Sequence, residues 1–502
     1  MSDITLATIN ARYIHASLGL RYLLANMGTL QARTRIREYT LNQRPEDIAE
    51  SLLNSRCRIV GFGVYIWNVL QTTEVIKLLK VVKPELVIVV GGPEVSFETT
   101  DQTISALADH VVIGPADTAF AELCQEILDG DNPVAVTSAL PVDLQTLESP
   151  YPYYSDDDIA HRVLYVEASR GCPFKCEFCL SSLDKTALAF PLPEFLQQMQ
   201  LLIDRGARHF KFVDRTFNLK TETSRQILEF FLTHIDKGLF LHFELIPDRL
   251  PETLQKLLPR FPPGSLQFEI GIQTFNPVVQ KLISRKQQHE KTCENLRWLR
   301  NHTQAHIHAD LIFGLPGENL ESFASGFDLL YSLAPQEIQV GILKRLRGTP
   351  ITRHTQTYDM RYMTSPPYRI LAHRDADFET HQRMVRFARY WDLVANSGRF
   401  PNSLPLILGD NPFKRFMSLS DWIFSTSEQT HRIALPRLLE FLWRSMTTLL
   451  DVDAEVADDA ARKDFKHNRL KGVPVFLADA DLSPPKAGLA NGSQRQQRHA
   501  GG

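Results

Sequence analysis

RVLYVEASRGCPFKCEFCLSS, residues 162–182, sets a short apolar strand directly before three cysteines. Cys172, Cys176 and Cys179 follow the spacing C-x3-C-x2-C, and no fourth cysteine lies nearby. A structural zinc site asks for four ligands, its cysteines usually in separated pairs. An ordinary electron-transfer cluster asks for four cysteines. Three thiolates in one loop can instead hold three corners of a [4Fe–4S] cubane and leave its fourth iron open, as catalytic metal sites keep one position open. The rival readings are a zinc site completed by His161 or His209, and three unrelated thiols. The remaining cysteines, Cys57, Cys124 and Cys293, lie on predicted strands or helices and read as core.

Downstream of this loop the text alternates. HFKFVDRTFN, LFLHFELIPD, SLQFEIGIQTF, HIHADLIFGLPG and EIQVGILKRLRGT are strand candidates with helical stretches between them. With RVLYVEASRG they make six between residues 162 and 349, the pattern of a β/α barrel or most of one. Polar residues cluster where each strand ends: Ser169–Arg170, Asp214–Arg215, Glu244, Gln273, Gly314 and Lys344. In such barrels the chemistry sits at the C-terminal ends of the strands, where the cysteine loop also falls.

Upstream, a second alternation fills residues 1–135. ITLATIN (4–10), TRIREYTL (34–41), CRIVGFGVYIWN (57–68), ELVIVVGGPE (85–94) and HVVIGPAD (110–117) read as strands. Stretches 17–31, 69–83 and 118–130 read as helices. Near-continuous Val/Ile runs suit a parallel sheet buried on both faces, so a doubly wound, Rossmann-like fold is expected. Ligands of such sheets bind at the C-terminal strand edge. Three loops stand out there: 10–23, 63–68 and 91–98. No G-x-G-x-x-G opens the first helix, which disfavours a dinucleotide site.

Residues 136–160 read as a linker, 161–365 as the barrel, 366–478 as a mostly α-helical domain without a convincing strand, and 479–502 as a disordered tail poor in hydrophobics. The whole chain has 502 residues, 43% hydrophobic and 23% charged, with a formal net charge of −3. That charge gives no reason to expect nucleic acid or an anionic membrane as partner. The first residues lack a charged then apolar leader, and no apolar run reaches the ~18 residues of a membrane span. A cytoplasmic setting is expected, where thiols stay reduced.

The cysteine loop, with Phe178 just before its third thiol, resembles the signature of the radical S-adenosylmethionine (SAM) superfamily. The resemblance implies a [4Fe–4S] cluster on Cys172, Cys176 and Cys179, with SAM on the open iron and cleavage of SAM to a 5′-deoxyadenosyl radical. It implies SAM contacts at Phe178, at Asp214 and Arg215 of FVDRTFN, at Glu244 of FELIPD, and at Gln273 and Arg285 of EIGIQTFNPVVQKLISRK. DLIFGLPGE resembles the region that lines the adenine. The family's Gly-Gly-Glu is absent at 214–216.

The N-terminal loops together resemble the cobalamin (vitamin B12)-binding domain that precedes many radical SAM barrels. The resemblance implies cobalamin contacts at Asn10, Tyr13, His15, Tyr65, Trp67, Asn68, Gly91, Gly92, Pro93 and Glu94. The D-x-H-x-x-G motif is absent, so a lower-axial histidine is not implied and base-off cobalamin is expected, its lower face meeting loop residues or water. Where the family has Gly-Glu-Gly-Glu, this chain reads Gly114–Pro115–Ala116–Asp117. The C-terminal domain resembles a domain of unknown function that trails one subgroup, and is expected to cap the barrel mouth.

Taken together, the resemblance implies a cobalamin-dependent radical SAM enzyme, with methylation of an unactivated carbon of an unidentified small molecule or peptide as the expected reaction and flavodoxin or ferredoxin as electron donor. The alternatives are another radical reaction (cyclisation, rearrangement or oxidation) and a non-catalytic cobalamin or redox sensor. A methylthiotransferase is disfavoured, since Cys57 and Cys124 cannot supply a second cluster.

Overall fold

The computed structural model describes residues 3–470 and 494–499. The chain divides into two compact units, Met1–Arg215 with Lys344–Thr352 and Met363–Arg369, and the remainder.

In the first unit, β1 (Ile4–Asn10), β2 (Thr34–Thr40), β3 (Ile59–Gly63), β4 (Val87–Gly91), β5 (His110–Ile113) and β6 (Val136–Ser138) form one sheet in the order β2-β1-β3-β4-β5-β6. Every pairing is parallel. All seven residues of β1 are buried, as a strand covered by helices on both faces must be. Two apolar layers cover the faces: one of Val60, Phe62, Ile76, Leu79 and Val90 among others, the other of Leu6, Leu20, Ile59, Phe120 and Leu123. Burial of each such side chain stabilises by roughly 1.5–3 kcal/mol. Local signals end the helices where expected. Val69–Val82 stops at Lys83, just before Pro84. Ala119–Asp129 closes on Gly130 at φ 90°.

Three features depart from the sequence reading. The helix expected over 17–31 runs only over Leu18–Ala25, after which a 3-10 turn, Gly28–Arg33, carries the chain into β2. The sixth strand, β6, lies in the stretch read as linker; three residues are too few to show an alternating pattern. The same stretch holds the helix Asp156–His161, opened by a capping box in which Ser155 and Asp158 exchange side-chain and backbone hydrogen bonds.

The first unit continues with β7 (Leu164–Val166), β8 (Ser169–Arg170), β9 (Leu188–Ala189) and β10 (His209–Phe212). β7 pairs parallel with β10, and β8 pairs antiparallel with β9. In the second unit β11 (Phe240–Leu245), β12 (Leu266–Gln273), β13 (His306–Phe313) and β14 (Glu337–Ile342) pair in parallel, in that order. β12 alternates buried and half-buried residues along its whole length, with Phe268, Ile270 and Ile272 on the buried face and Glu269, Gly271 and Gln273 on the other.

A short antiparallel ribbon that the pattern did not reveal, β15 (Arg361–Tyr362) with β16 (Ile370–Ala372), leads into a helical stretch. Helix Phe378–Val394 buries Phe387, Tyr390 and Trp391 against Phe327, Phe413 and Phe416. Asp464 is fully buried and accepts from the backbone of Asn402 and Ser403, capping the helix Ser403–Leu408. Of the tail read as disordered, 479–493 lie outside the described residues, and Gln494–His499 is a helix. Among the described residues no helix is long and apolar enough to cross a membrane.

Candidate functional site

The cysteine loop is closed at its base by the β8–β9 ladder, which pairs Ser169 with Ala189 and Arg170 with Leu188. Gly171 enters it at φ 91°, where an added Cβ would fall 2.8 Å from the Ala187 nitrogen, so the position demands glycine. Within the loop the Cys172 N–H donates to the Asp184 carbonyl at 2.8 Å and the Cys179 N–H to the Cys176 carbonyl at 3.2 Å. The Ser182 hydroxyl is shared between the carbonyls of Cys176 and Cys179 at 2.8 and 2.7 Å. The backbone of the loop is therefore ordered by its own hydrogen bonds.

Cys172 and Cys176 are buried and Cys179 is half-buried; none is in a disulfide. Burial pushes the Cys172 thiol up, the thiols of Cys179 and Cys176 add to the rise, and Arg215 opposes it. Thiols so disposed give up their protons to a metal, which deprotonates its cysteine ligands outright. Among the described residues no three His, Cys, Asp or Glu side chains are arranged around one metal ion. A cubane asks something else, each thiolate on its own iron, and three clustered thiols on an ordered loop fit it.

Asp214 and Arg215, neighbours in sequence, take opposite roles. Arg215 is exposed and acts electrostatically on Cys172. Asp214 is only 3% exposed and faces back into the fold. It accepts from the Ser169 hydroxyl at 2.6 Å and the Ala168 N–H at 3.0 Å, pinning the segment that enters the cysteine loop. Burial pushes its carboxyl up to about 7. The folded state then holds this proton more tightly than the unfolded chain. Its contribution to stability is full below about pH 4 and is lost as pH climbs through about 7. Asp214→Asn removes the titration: between pH 5 and 8 wild type should lose stability relative to the variant, read as the difference in their melting temperatures.

Of the other expected SAM residues, Glu244, Gln273 and Arg285 lie in the second unit. Gln273 sits at φ 72° on a bulge between Gly271 and Gln273, where β12 slips against β13. An added Cβ on Gly271 would lie 2.5 Å from the Gln273 amide nitrogen, so the glutamine folds back over this glycine. Arg285 also reaches Gly271, donating to its carbonyl, and its Nε meets Gln287 at 2.9 Å. Gln273 and Arg285 are therefore brought together at one glycine. Glu244 is half-buried on β11, in register with Glu269 of β12. Nearby in sequence, Glu318 of the GLPGE stretch is 1% exposed, accepts from Thr274 at 2.5 Å, and is pushed by burial up to about 7. The sequence reading quoted this stretch but not the glutamate.

The sheet of the first unit switches direction at β1, flanked by β2 and β3. Ligands of doubly wound sheets lie in the crevice at that point. Tyr65 and Trp67 follow β3 and stack face to face, ring centroids 4.4 Å apart and 6° from parallel. Trp67 is 48% exposed and its Nε1 donates to the Ile9 carbonyl of β1 at 3.3 Å. Tyr13, also exposed, donates to Asp157 at 2.5 Å. His15 is hydrogen-bonded through Nδ1 to the Tyr165 hydroxyl at 2.7 Å, and burial holds it below the ordinary histidine range, so it is neutral. Gly92 has φ 110°, and an added Cβ would sit 2.6 Å from the Val64 carbonyl oxygen; the loop after β4 can hug the loop after β3 only with glycine there. Gly91 and Pro93 flank it, half-buried.

Two asparagines and a glutamate are occupied otherwise. Asn68 is fully buried, with its amide on the Ile9 and Gly63 carbonyls and its oxygen on the Tyr65 N–H. Asn10 bonds the His15 carbonyl and Glu38. Glu94 is buried against Arg347 and Tyr368. These three build the loops. Arg170, one of the polar residues at the strand ends, joins Asp117 at 3.0 Å and Glu167 at 2.6 Å, a pairing the sequence did not foretell. The GPAD text that departs from the family pattern thus still supplies a carboxylate.

Comparison with known proteins agrees with this geometry. Residues 4–124 match the B12 binding domain, 166–330 the Radical SAM superfamily, and 356–500 a protein of unknown function (DUF4080). The chain carries radical SAM and B12-binding domains followed by a helical region, and a [4Fe–4S] cluster, SAM and cobalamin are the cofactors these domains hold. An anaerobic coproporphyrinogen III oxidase of Cereibacter sphaeroides is 36% identical over 77 residues, 15% of this chain and 17% of that protein. The match thus spans about a sixth of that relative. An uncharacterized methyltransferase of Pyrococcus horikoshii is 24% identical over 317 residues, 57% of this chain and 68% of its own. In fold the chain is similar to the radical SAM methyltransferase TsrM of Kitasatospora setae, solved with cobalamin and a [4Fe–4S] cluster (TM-score 0.57, 17% identity, 73% of this chain and 82% of that one). It is also similar to the cobalamin-dependent radical enzyme OxsB with aqua-cobalamin bound (TM-score 0.61, 14% identity, 99% and 83%).

Proposed function

We propose that this radical SAM enzyme is a cobalamin-dependent methyltransferase acting on an unactivated carbon of a small molecule or peptide. The observation that carries the proposal is the pairing of an ordered three-thiol loop with the Tyr65–Trp67 stack, its tryptophan exposed, at the switch point of the B12-binding sheet. When bound, the cluster and SAM supply radical-generating cleavage, and cobalamin supplies a carrier for a methyl group. Cys172, Cys176 and Cys179 would hold the cluster, and Arg215 lends positive charge beside it. Phe178 is half-buried between the second and third thiols, placed to line that pocket. Gln273 and Arg285, converging on Gly271, offer an amide and a guanidinium, the latter suited to a carboxylate; Glu244 would contact SAM from the same unit.

For cobalamin, Tyr13, His15, Tyr65, Trp67, Gly91, Gly92 and Pro93 would meet the ligand, with Asn10, Asn68 and Glu94 shaping the loops that carry them. The base-off mode rests on the absence of the D-x-H-x-x-G motif around His15, whose Nδ1 is hydrogen-bonded to the Tyr165 hydroxyl. Support for methyl transfer comes from the neighbours described as methyltransferases, which share the two cofactor domains. Trp67→Ala should weaken cobalamin binding roughly ten-fold or more, the worth of a buried aromatic face, measured by anaerobic titration.

The decisive experiment incubates reduced, cobalamin-loaded protein with SAM and a candidate substrate. Formation of both S-adenosylhomocysteine and 5′-deoxyadenosine is expected. 5′-Deoxyadenosine alone, with cobalamin bound, would point to cyclisation, rearrangement or oxidation. Neither product would favour a sensor.

A further inference from the structure

The chain leaves β14 at Ile342 and runs through KRLRGTPIT, residues 344–352, which belongs to the first unit. Two arginines of this strap meet the loop after β4. Arg347 donates through Nε to Glu94 at 3.1 Å and through Nη1 to Glu98 at 2.8 Å. Arg345 grips both Glu98 oxygens at 2.8 and 2.9 Å. The Tyr368 hydroxyl donates to Glu94 at 2.7 Å and accepts from Arg347 at 2.9 Å, and the guanidinium lies 4.9 Å over the same ring. Tyr368 is held at φ 51°, a conformation rare for a non-glycine residue. Gly348 lies flat on Phe97: an added Cβ would come within 2.3 Å of the ring.

The other end of the strap meets the cysteine loop. The Ile351 N–H donates to the Glu177 carbonyl at 2.9 Å, and Glu177 stands between Cys176 and Cys179. Only Gly348, Thr349 and Pro350 therefore separate a buried ion pair on the loop after β4 from a bond to the peptide that carries two of the three thiols.

We propose that Glu94, Arg347 and Tyr368 are positioning residues that fix, through the strap 344–352, the loop bearing Cys176 and Cys179 against the loop after β4. They touch no reacting atom. They act by setting where the thiols stand relative to the expected cobalamin face, and the inference rests on the reading of the three thiols as the cluster site. Fixing such a frame from outside the first shell is how supporting residues tune cluster and metal sites. Burial raises the Glu94 carboxyl above its ordinary range, against the pull of Tyr368 and Arg347.

The test uses the full chain with its cluster reconstituted anaerobically. Arg347→Gln, Tyr368→Phe and Glu94→Gln are compared with wild type by electron paramagnetic resonance of the reduced cluster, with and without SAM and without cobalamin. The control is Arg383→Gln, which breaks an ion pair with Asp421 at 2.7 Å in the other unit. Arg347→Gln should shift or broaden the SAM-dependent signal while keeping the iron content of wild type. Tyr368→Phe and Glu94→Gln should do so in smaller degree, and the control should not. Signals of all three variants that superpose on wild type would overturn the proposal, as would equal changes in the control. Cobalamin affinity of wild type is titrated separately. If wild type binds none, the cobalamin half of the function fails, whereas the cluster spectra still decide the positioning role.

Discussion

Cys176→Ala should leave a folded protein that takes up almost no iron and does not cleave SAM. Wild type, reconstituted without oxygen, should hold about four irons per chain. The loop of the variant keeps its hydrogen bonds, because the Cys176 carbonyl rather than its thiol accepts from Ser182 and Cys179. Loss of the thiolate would remove one corner of the cubane while these backbone bonds stay in place. Cys172→Ala and Cys179→Ala should behave alike. Cys124→Ala is the control: that thiol is buried, and burial pushes it up to about 12, so it is inert at neutral pH. It should keep the wild-type iron content. Iron counts and 5′-deoxyadenosine yields check the series; a Cys176→Ala protein with full iron would remove the cysteine loop from the account.

The second large effect lies in a buried ionic quartet. Arg21 bonds Glu38 at 3.0 Å and Asp158 at 2.7 Å, and Arg162 bonds the same two carboxylates at 2.7 and 2.9 Å. All four side chains are less than 9% exposed. Two cations and two anions balance here, so removing one partner strands a charge out of water. Arg21→Met should therefore cost about 3–5 kcal/mol, read by urea unfolding at pH 7. The pH dependence has a definite sign. Burial opposes ionisation of Asp158, but Arg21 and Arg162 outweigh it and hold the carboxyl down at about 2; Glu38 is lowered by the same arginines. Carboxyls held below their unfolded range stabilise above about pH 4, and the contribution is lost as pH falls from there toward 2. For Asp158 alone it is on the order of 2 kcal/mol. Asp158→Asn should start less stable at pH 7 and converge with wild type on acidification. A constant gap from pH 7 to pH 2.5 would contradict the assignment.

The periodic parts of this chain were legible because burial on both faces leaves a plain mark. ITLATIN and ELVIVV read as buried strands and are β1 and β4, and the six strand candidates after residue 162 each contain the strand found there. What escaped was too short or too polar for periodicity: β6 with three residues, the β15–β16 ribbon, and the capped helix Asp156–His161 inside a supposed linker. In the site, residue type showed which side chains matter but not which way they point. Asp214 and Arg215 looked equivalent, yet one turns inward to Ser169 and the other toward Cys172. Asn68 and Glu94 looked like ligand contacts, but partners as distant in sequence as Tyr368 claim them first. Arg345 and Arg347 carried no local signal at all; only the fold brings them to the loop after β4.

The most direct measurement is made on reconstituted, reduced wild-type protein: electron–nuclear double resonance with SAM labelled by nitrogen-15 at its amino group or oxygen-17 at its carboxylate. An iron left open by three thiolates will coordinate those atoms, so a hyperfine coupling from the label, with an altered cluster signal, is the expected result. A cluster spectrum that is the same with and without SAM, and shows no coupling, would contradict it.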